Sequence, residues 1–153
     1  IVGAENGITP HGGSSMLRFD VTTPTVANAE FAAAIDQVVD VTEYASLIAT
    51  GTASFNMSAF FNRVDLDPET DDMFGLLLSA QDAAGTALDG IFLPLISDAD
   101  VATWEPHVVN LVMPAETTQV RIQLNVIENI FNDLVSPEFD GHYADDVEVW
   151  VSP

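Results

Sequence analysis

Between residues 119 and 126 the chain alternates without a break. Val120, Ile122, Leu124 and Val126 are apolar, and Gln119, Arg121, Gln123 and Asn125 are polar. A period of two puts successive side chains on opposite faces of a strand, so this segment has one wet face and one buried face. The signature recurs over 52–62, where Phe55, Met57, Ala59 and Phe61 are apolar against Asn56, Ser58 and Asn62, with Phe60 the exception. Over 143–151, Val147, Val149 and Val151 share one parity. Half-buried strands of this kind need a second layer to cover their apolar faces.

Further strand-like segments lie at 14–20, 33–41, 73–81, 88–96 and 104–113, separated by turn signals such as Thr9-Pro10-His11-Gly12-Gly13 and Asp82-Ala83-Ala84-Gly85-Thr86. Segment 73–81 is nearly continuously apolar, which predicts a strand covered on both faces. Pro94 marks an edge or a bulge in 88–96. A short helical turn is expected over 42–50, started by Asp40 or Thr42 and stopped by Gly51. Residues 63–72 and 128–141 read as loops. About eight strands and one short helix predict an all-β fold, an antiparallel β-sandwich of the jelly-roll kind, with 1–153 as one domain. Greek-key connections then pair the first strand with the last.

Composition decides which partners such a sandwich can have. The 153 residues include 24 acidic side chains and only three cations (Arg18, Arg63 and Arg121), for a formal net charge of −21. Nucleic acid is excluded as a partner, because phosphate binding needs clustered Lys and Arg. Anionic membrane surfaces are disfavoured for the same reason, and no apolar run reaches the ~18 residues of a membrane-spanning helix. With 48% hydrophobic residues the chain is no disordered acidic tail. Without cysteine there are no disulfides, no thiol catalysis and no Cys-based zinc site. An acidic, lysine-free surface stays hydrated in salty water, which points to an extracellular or cell-surface setting.

Three segments resemble a known group. They are residues 7–17 (Gly-Ile-Thr-Pro-His-Gly-Gly-Ser-Ser-Met-Leu), residues 37–42 before Tyr44, and residues 139–149, which contain Tyr143-Ala144-Asp145-Asp146-Val147. Together they resemble secreted bacterial jelly-roll modules of the carbohydrate-binding, galactose-binding-domain-like type. That resemblance implies a polysaccharide or surface glycan as partner. It also implies a structural calcium, held by Glu5 and by Asp145 or Asp146 with backbone carbonyls, the hard oxygen set calcium takes. Only Glu5 and Gly7 remain of the group's opening-strand pattern. Parity puts Asp145 on the face of Val147, Val149 and Val151. If that face is the core, the carboxylate needs either a cation or several N–H donors.

No nucleophile elbow, phosphate loop, dinucleotide fingerprint or His-Glu-x-x-His zinc signature is present. Pairs of acids are too common here to mark a glycosidase, so no enzymatic activity is expected. The polar faces of two strands carry Asn56, Ser58 and Asn62, and Arg121, Gln123 and Asn125. If those strands are neighbours, they form an amide-rich groove for a glycan, flanked by aromatic candidates Trp104, Tyr143 and Trp150. Arg121 serves either that groove or an internal ion pair. The competing reading is structural. An abbreviated opening strand leaves an open sheet edge, through which copies of the chain assemble into a surface layer or filament.

Overall fold

The computed structural model describes residues 1–20, 32–64, 73–98, 100–127 and 141–153. The two loop readings, 63–72 and 128–141, lie mostly outside them, as do Phe139 and Asp140. Eight strands are described: β1 (Leu17–Arg18), β2 (Ala32–Asp40), β3 (Ser54–Arg63), β4 (Met73–Gln81), β5 (Ala87–Leu95), β6 (Glu105–Val112), β7 (Gln119–Ile127) and β8 (His142–Ser152). They form two four-stranded antiparallel sheets, in the orders β1-β8-β3-β6 and β2-β7-β4-β5. Apart from the β4–β5 hairpin, successive strands lie in opposite sheets, and the first pairs with the last, the wiring of a jelly roll.

The alternating strands face each other as their sequences require. Phe55, Met57, Ala59 and Phe61 of β3 and Val120, Ile122, Leu124 and Val126 of β7 are buried, with Phe74, Leu76, Leu78 and Ala80 of β4. Burial of each large apolar side chain contributes roughly 1.5–3 kcal/mol. β4 meets this core on one face only. Its continuous apolar run is explained on the other face by Gly75, buried beneath Phe92, and by a half-buried Leu77.

Between β2 and β3 a single turn of 3-10 helix (Thr42–Tyr44) runs into α1 (Ala45–Ile48). Asp40 Oδ1 accepts hydrogen bonds from the Thr42 hydroxyl (2.6 Å) and the Thr42 N–H (2.8 Å), which hold its carboxyl below the usual aspartate range. Gly51, at φ +76°, ends the segment in a conformation that side chains disfavour.

β8 differs from its sequence reading. Ser58 lies opposite Glu148 and Phe60 opposite Asp145, so one residue of β3, Ala59, faces two of β8. This is a β-bulge, and Asp146 within it has φ +46°. The extra residue breaks the parity. Val149 and Val151 pair with inward-facing Met57 and Phe55, but Asp145 pairs with Phe60 on the outer face. The expectation that Asp145 shares the valine face is therefore corrected.

The opening strand is also shorter than the expected 14–20. Only Leu17 and Arg18 pair with β8, while Met16 bridges back to Val2. Residues 2–16 instead fold over the outer face of β8 and β3. There Ile8, Met16, Val64 and Tyr143 form a second, smaller core beside Val2 and Trp104.

Candidate functional site

The six glycan-contact candidates divide between the sheets. Asn56, Ser58 and Asn62 face outward from β3, and Arg121, Gln123 and Asn125 face outward from β7. The two strands lie in opposite layers, so no joint groove forms.

On the β3 side, the polar groups are mostly engaged in structure. Asn62 is 2% exposed and donates to the Val101 carbonyl (3.1 Å). Asn56 Nδ2 contacts the Ser54 and Trp150 carbonyls and Ser152 Oγ. Ser58 is half-buried. Phe60, the exception in its strand's alternation, is stacked on His11 at 3.8 Å with Trp104 at the edge of the same ring. Trp104 is itself pinned through Nε1–H to the Thr9 carbonyl (3.0 Å), and Tyr143 is fully buried. Of the three aromatic candidates, Trp150 is the well-exposed one.

On the β7 side, the three residues join with two that the sequence reading missed. Asp36 lies opposite Gln123, and its Oδ1 accepts from Arg121 Nε (2.7 Å) and Gln123 Nε2 (2.9 Å). The guanidinium closes an ion pair with the same carboxylate (2.7 Å through NH2), the internal pairing expected as one alternative for Arg121. Gln123 Oε1 in turn accepts from Asn125 Nδ2 (3.0 Å). A continuous row thus runs along β7, from guanidinium to carboxylate to two amides. Beyond it, Phe92 of β5 reaches across Gly75 to Asn125. A Cβ at Gly75 would collide with the Phe92 ring and with Asn125 Oδ1, so glycine permits the close approach. Phe92 remains 39% exposed. Asn125 Oδ1 is buried and has no hydrogen-bond partner among the described residues. Buried acceptors normally find a donor, which makes this oxygen the unusual atom of the face. Neither Asp36 nor Phe92 stood out in sequence. Asp36 belongs to a strand without clear alternation, and Phe92 sits between Gly90 and Pro94, which obscure any period.

The calcium candidates are each held by protein donors. Glu5 Oε1 accepts from Arg18 (3.3 Å) and from the Tyr143 hydroxyl (3.1 Å). Asp145 accepts the N–H groups of Gly12 (3.1 Å) and Asp146 (2.9 Å), the alternative to a cation given by its sequence. Asp146 Oδ2 lies 2.7 Å from His11 Nδ1. Among the described residues no three acidic or histidine side chains converge on a metal position. As placed, these carboxylates do not fit the six-to-eight-oxygen shell of calcium. The expected result is one melting temperature in millimolar calcium and in chelator. A calcium-dependent rise of more than about 2 °C, an effect of roughly half a kcal/mol, would show that the carboxylates regroup around the ion.

No protein-family model matches the chain, and no curated protein matches it. Solved structures do. The chain is similar to the enzymatically active domain of tailspike protein 4 from bacteriophage CBA120, at TM-score 0.58 and 15% identity, covering 99% of this chain and 18% of that one. It is similar to a structure from the Gt strain of infectious bursal disease virus, at TM-score 0.51 and 12% identity, over 99% of this chain and 35% of that one. TmCBM61, solved with β-1,4-galactotriose, matches at TM-score 0.49 and 12% identity, over 94% of this chain and 74% of that one. The chain thus spans about a fifth of the tailspike chain and about a third of the viral one. At these identities the likeness is one of fold, a β-sandwich.

Proposed function

We propose that this sandwich is a non-catalytic, extracellular, carbohydrate-binding-like module that takes a polysaccharide or surface glycan across the outer face of the β2-β7-β4-β5 sheet. The observation that carries the reading is the exposed Phe92 ring on the same outer face as the hydrogen-bonded Asp36 and Gln123. Sugars present an apolar C–H face and a rim of hydroxyls. An aromatic ring covers the first, and planar amide and carboxylate groups fix the second. Asp36 and Gln123 are of that planar type, already oriented by their mutual hydrogen bond and by the buried Asn125 behind Gln123. Orientation before binding lowers the entropy lost in binding. Four strands at about 4.8 Å spacing make the face about 14 Å wide, enough for several sugar units. The charge of −21, with Arg121 already neutralised by Asp36, favours neutral over anionic glycans.

The test is retention on a panel of neutral polysaccharides, followed by titration of the one that binds. Phe92→Ala and Gln123→Ala are each expected to weaken binding about tenfold, equivalent to ~1.4 kcal/mol, without lowering the melting temperature by more than a few degrees. Failure of every neutral polysaccharide to bind would overturn the reading. So would unchanged affinity in Phe92→Ala, and release of new reducing ends would show catalysis instead.

A further inference from the structure

The two sheets are not closed alike on their two sides. At β5 and β6 the layers are tied by a bond from His107 Nε2–H to the Leu93 carbonyl (3.0 Å). The β2 and β8 side is more open to water. β1 pairs with β8 only at Tyr143 and Ala144, so the edge of β8 beyond Ala144 carries no paired strand among the described residues. β2 is the edge of the other sheet.

Apolar side chains point into the seam between these edges and stay half uncovered. Ile35 on the core face of β2 is 48% exposed, and Val147 and Val149 of β8 are 43% and 41% exposed. Ile35 and Val147 border a cleft of about 240 Å³, shared with Ile1, Leu17, Ile122 and Leu124. A second hollow of about 130 Å³ continues along the seam between Val39 and Val149, with Tyr44 and Trp150 on its rim. Inward-facing valines open to water are unusual in a sandwich, where each face is normally covered by the other sheet.

The rim of this seam is acidic. Asp40 and Glu43 border the second hollow, and Glu148 is exposed on β8, whereas Asp36 beside the first cleft is already paired with Arg121. From these features we infer that the seam accepts an extended segment of another protein, as an added strand on the free edge of β8. Its alternate side chains are apolar and enter the hollows. The side chains between them are Lys or Arg and meet the acidic rims. Backbone pairing supplies affinity, and the hollows supply the spacing. No segment of this chain fits the description, because it has no Lys and its three Arg lie far apart in sequence. A second copy is opposed by its own charge of −21. The inference stands apart from the glycan reading, which uses the opposite face of β2 and β7.

The probe is a capped seven-residue peptide of alternating valine and lysine, titrated into the intact chain while tryptophan fluorescence is followed, with Trp104→Phe leaving Trp150 as the reporter. Its control is a peptide of the same composition with the valines in one block. Saturable binding of the alternating peptide alone is expected. Slowed hydrogen exchange at the 147–151 amides is expected with it. Raising the ionic strength shortens the Debye length from about 10 Å toward 3 Å and weakens the complex. Ile35→Ala, at a site already half exposed, weakens binding about tenfold, whereas Val108→Ala, on the exposed face of β6, leaves it unchanged. Absence of saturable binding would overturn the inference. Equal binding of the block peptide would do the same, as would protection confined to other strands. So would protection of 147–151 by concentration-dependent dimerisation of the chain alone.

Discussion

Phe61→Ala is expected to destabilise the fold by about 3–5 kcal/mol, a large share of the roughly 5–15 kcal/mol that keeps a domain folded. Phe61 is fully buried on β3 and stacks on Phe74 of β4 with ring centroids 4.7 Å apart and planes 24° apart. These two rings join the two sheets. Phe74 passes the contact on to Phe19 (6.0 Å) and to His142 (5.6 Å). Removing the Phe61 ring therefore leaves a cavity between the two sheets, where neither can collapse without dragging its strands. The ring pair adds about 0.5–1.5 kcal/mol beyond the burial of its area. Chemical denaturation measures the loss as a shift of the midpoint at unchanged slope. A shift worth less than about 1 kcal/mol would mean that the sheets do not meet through this pair. Phe61→Leu keeps most of the volume and should cost less than half as much.

Tyr143→Ala is the second large effect, about 3–5 kcal/mol, and it acts on a different part of the molecule. Tyr143 belongs to the smaller core outside the sandwich, where it packs with Ile8, Met16 and Val64. Its hydroxyl donates to Glu5 Oε1 (3.1 Å) and accepts from Asn6 Nδ2 (2.8 Å). The side chain thus fastens residues 2–16 by packing and by polar contact at once. Its removal should release that segment, read as rapid proteolysis and exchange there ahead of the β4 and β7 amides. Tyr143→Phe separates the two contributions. It retains the packing and orphans the polar partners, at about 1–3 kcal/mol. Equal exchange of both regions in Tyr143→Ala would show instead that the two cores melt as one.

Much of the architecture was legible in the sequence because burial imposes a period. β4 begins and ends at the residues its composition marked, 73 and 81, and β7 buries the four apolar residues of its alternation. The turn at Asp40 and the stop at Gly51 were readable from local chemistry. What parity cannot report is which sheet a strand joins. Asn56 and Gln123 were both outward-facing, yet they lie on opposite sides of the molecule. Parity also fails wherever one residue is extra. The bulge at Asp146 moved Asp145 from the valine face to the outside, and nothing in Asp145-Asp146-Val147 announces a positive φ. Phe60 looked like a flaw in β3, because the ring that covers it, His11, is distant in sequence. The row of polar groups on β7 was half visible. Its partners Asp36 and Phe92 come from strands whose own patterns are weak.

The unequal closure of the sandwich gives it the mechanics of a book. The spine runs along β5 and β6, where His107 ties the covers together. The fore-edge runs along β2 and β8, where Ile35, Val147 and Val149 lie half open to water. Thermal breathing then parts the pages from the fore-edge inward. Solvent reaches Val149 and Ile35 long before it reaches Phe61.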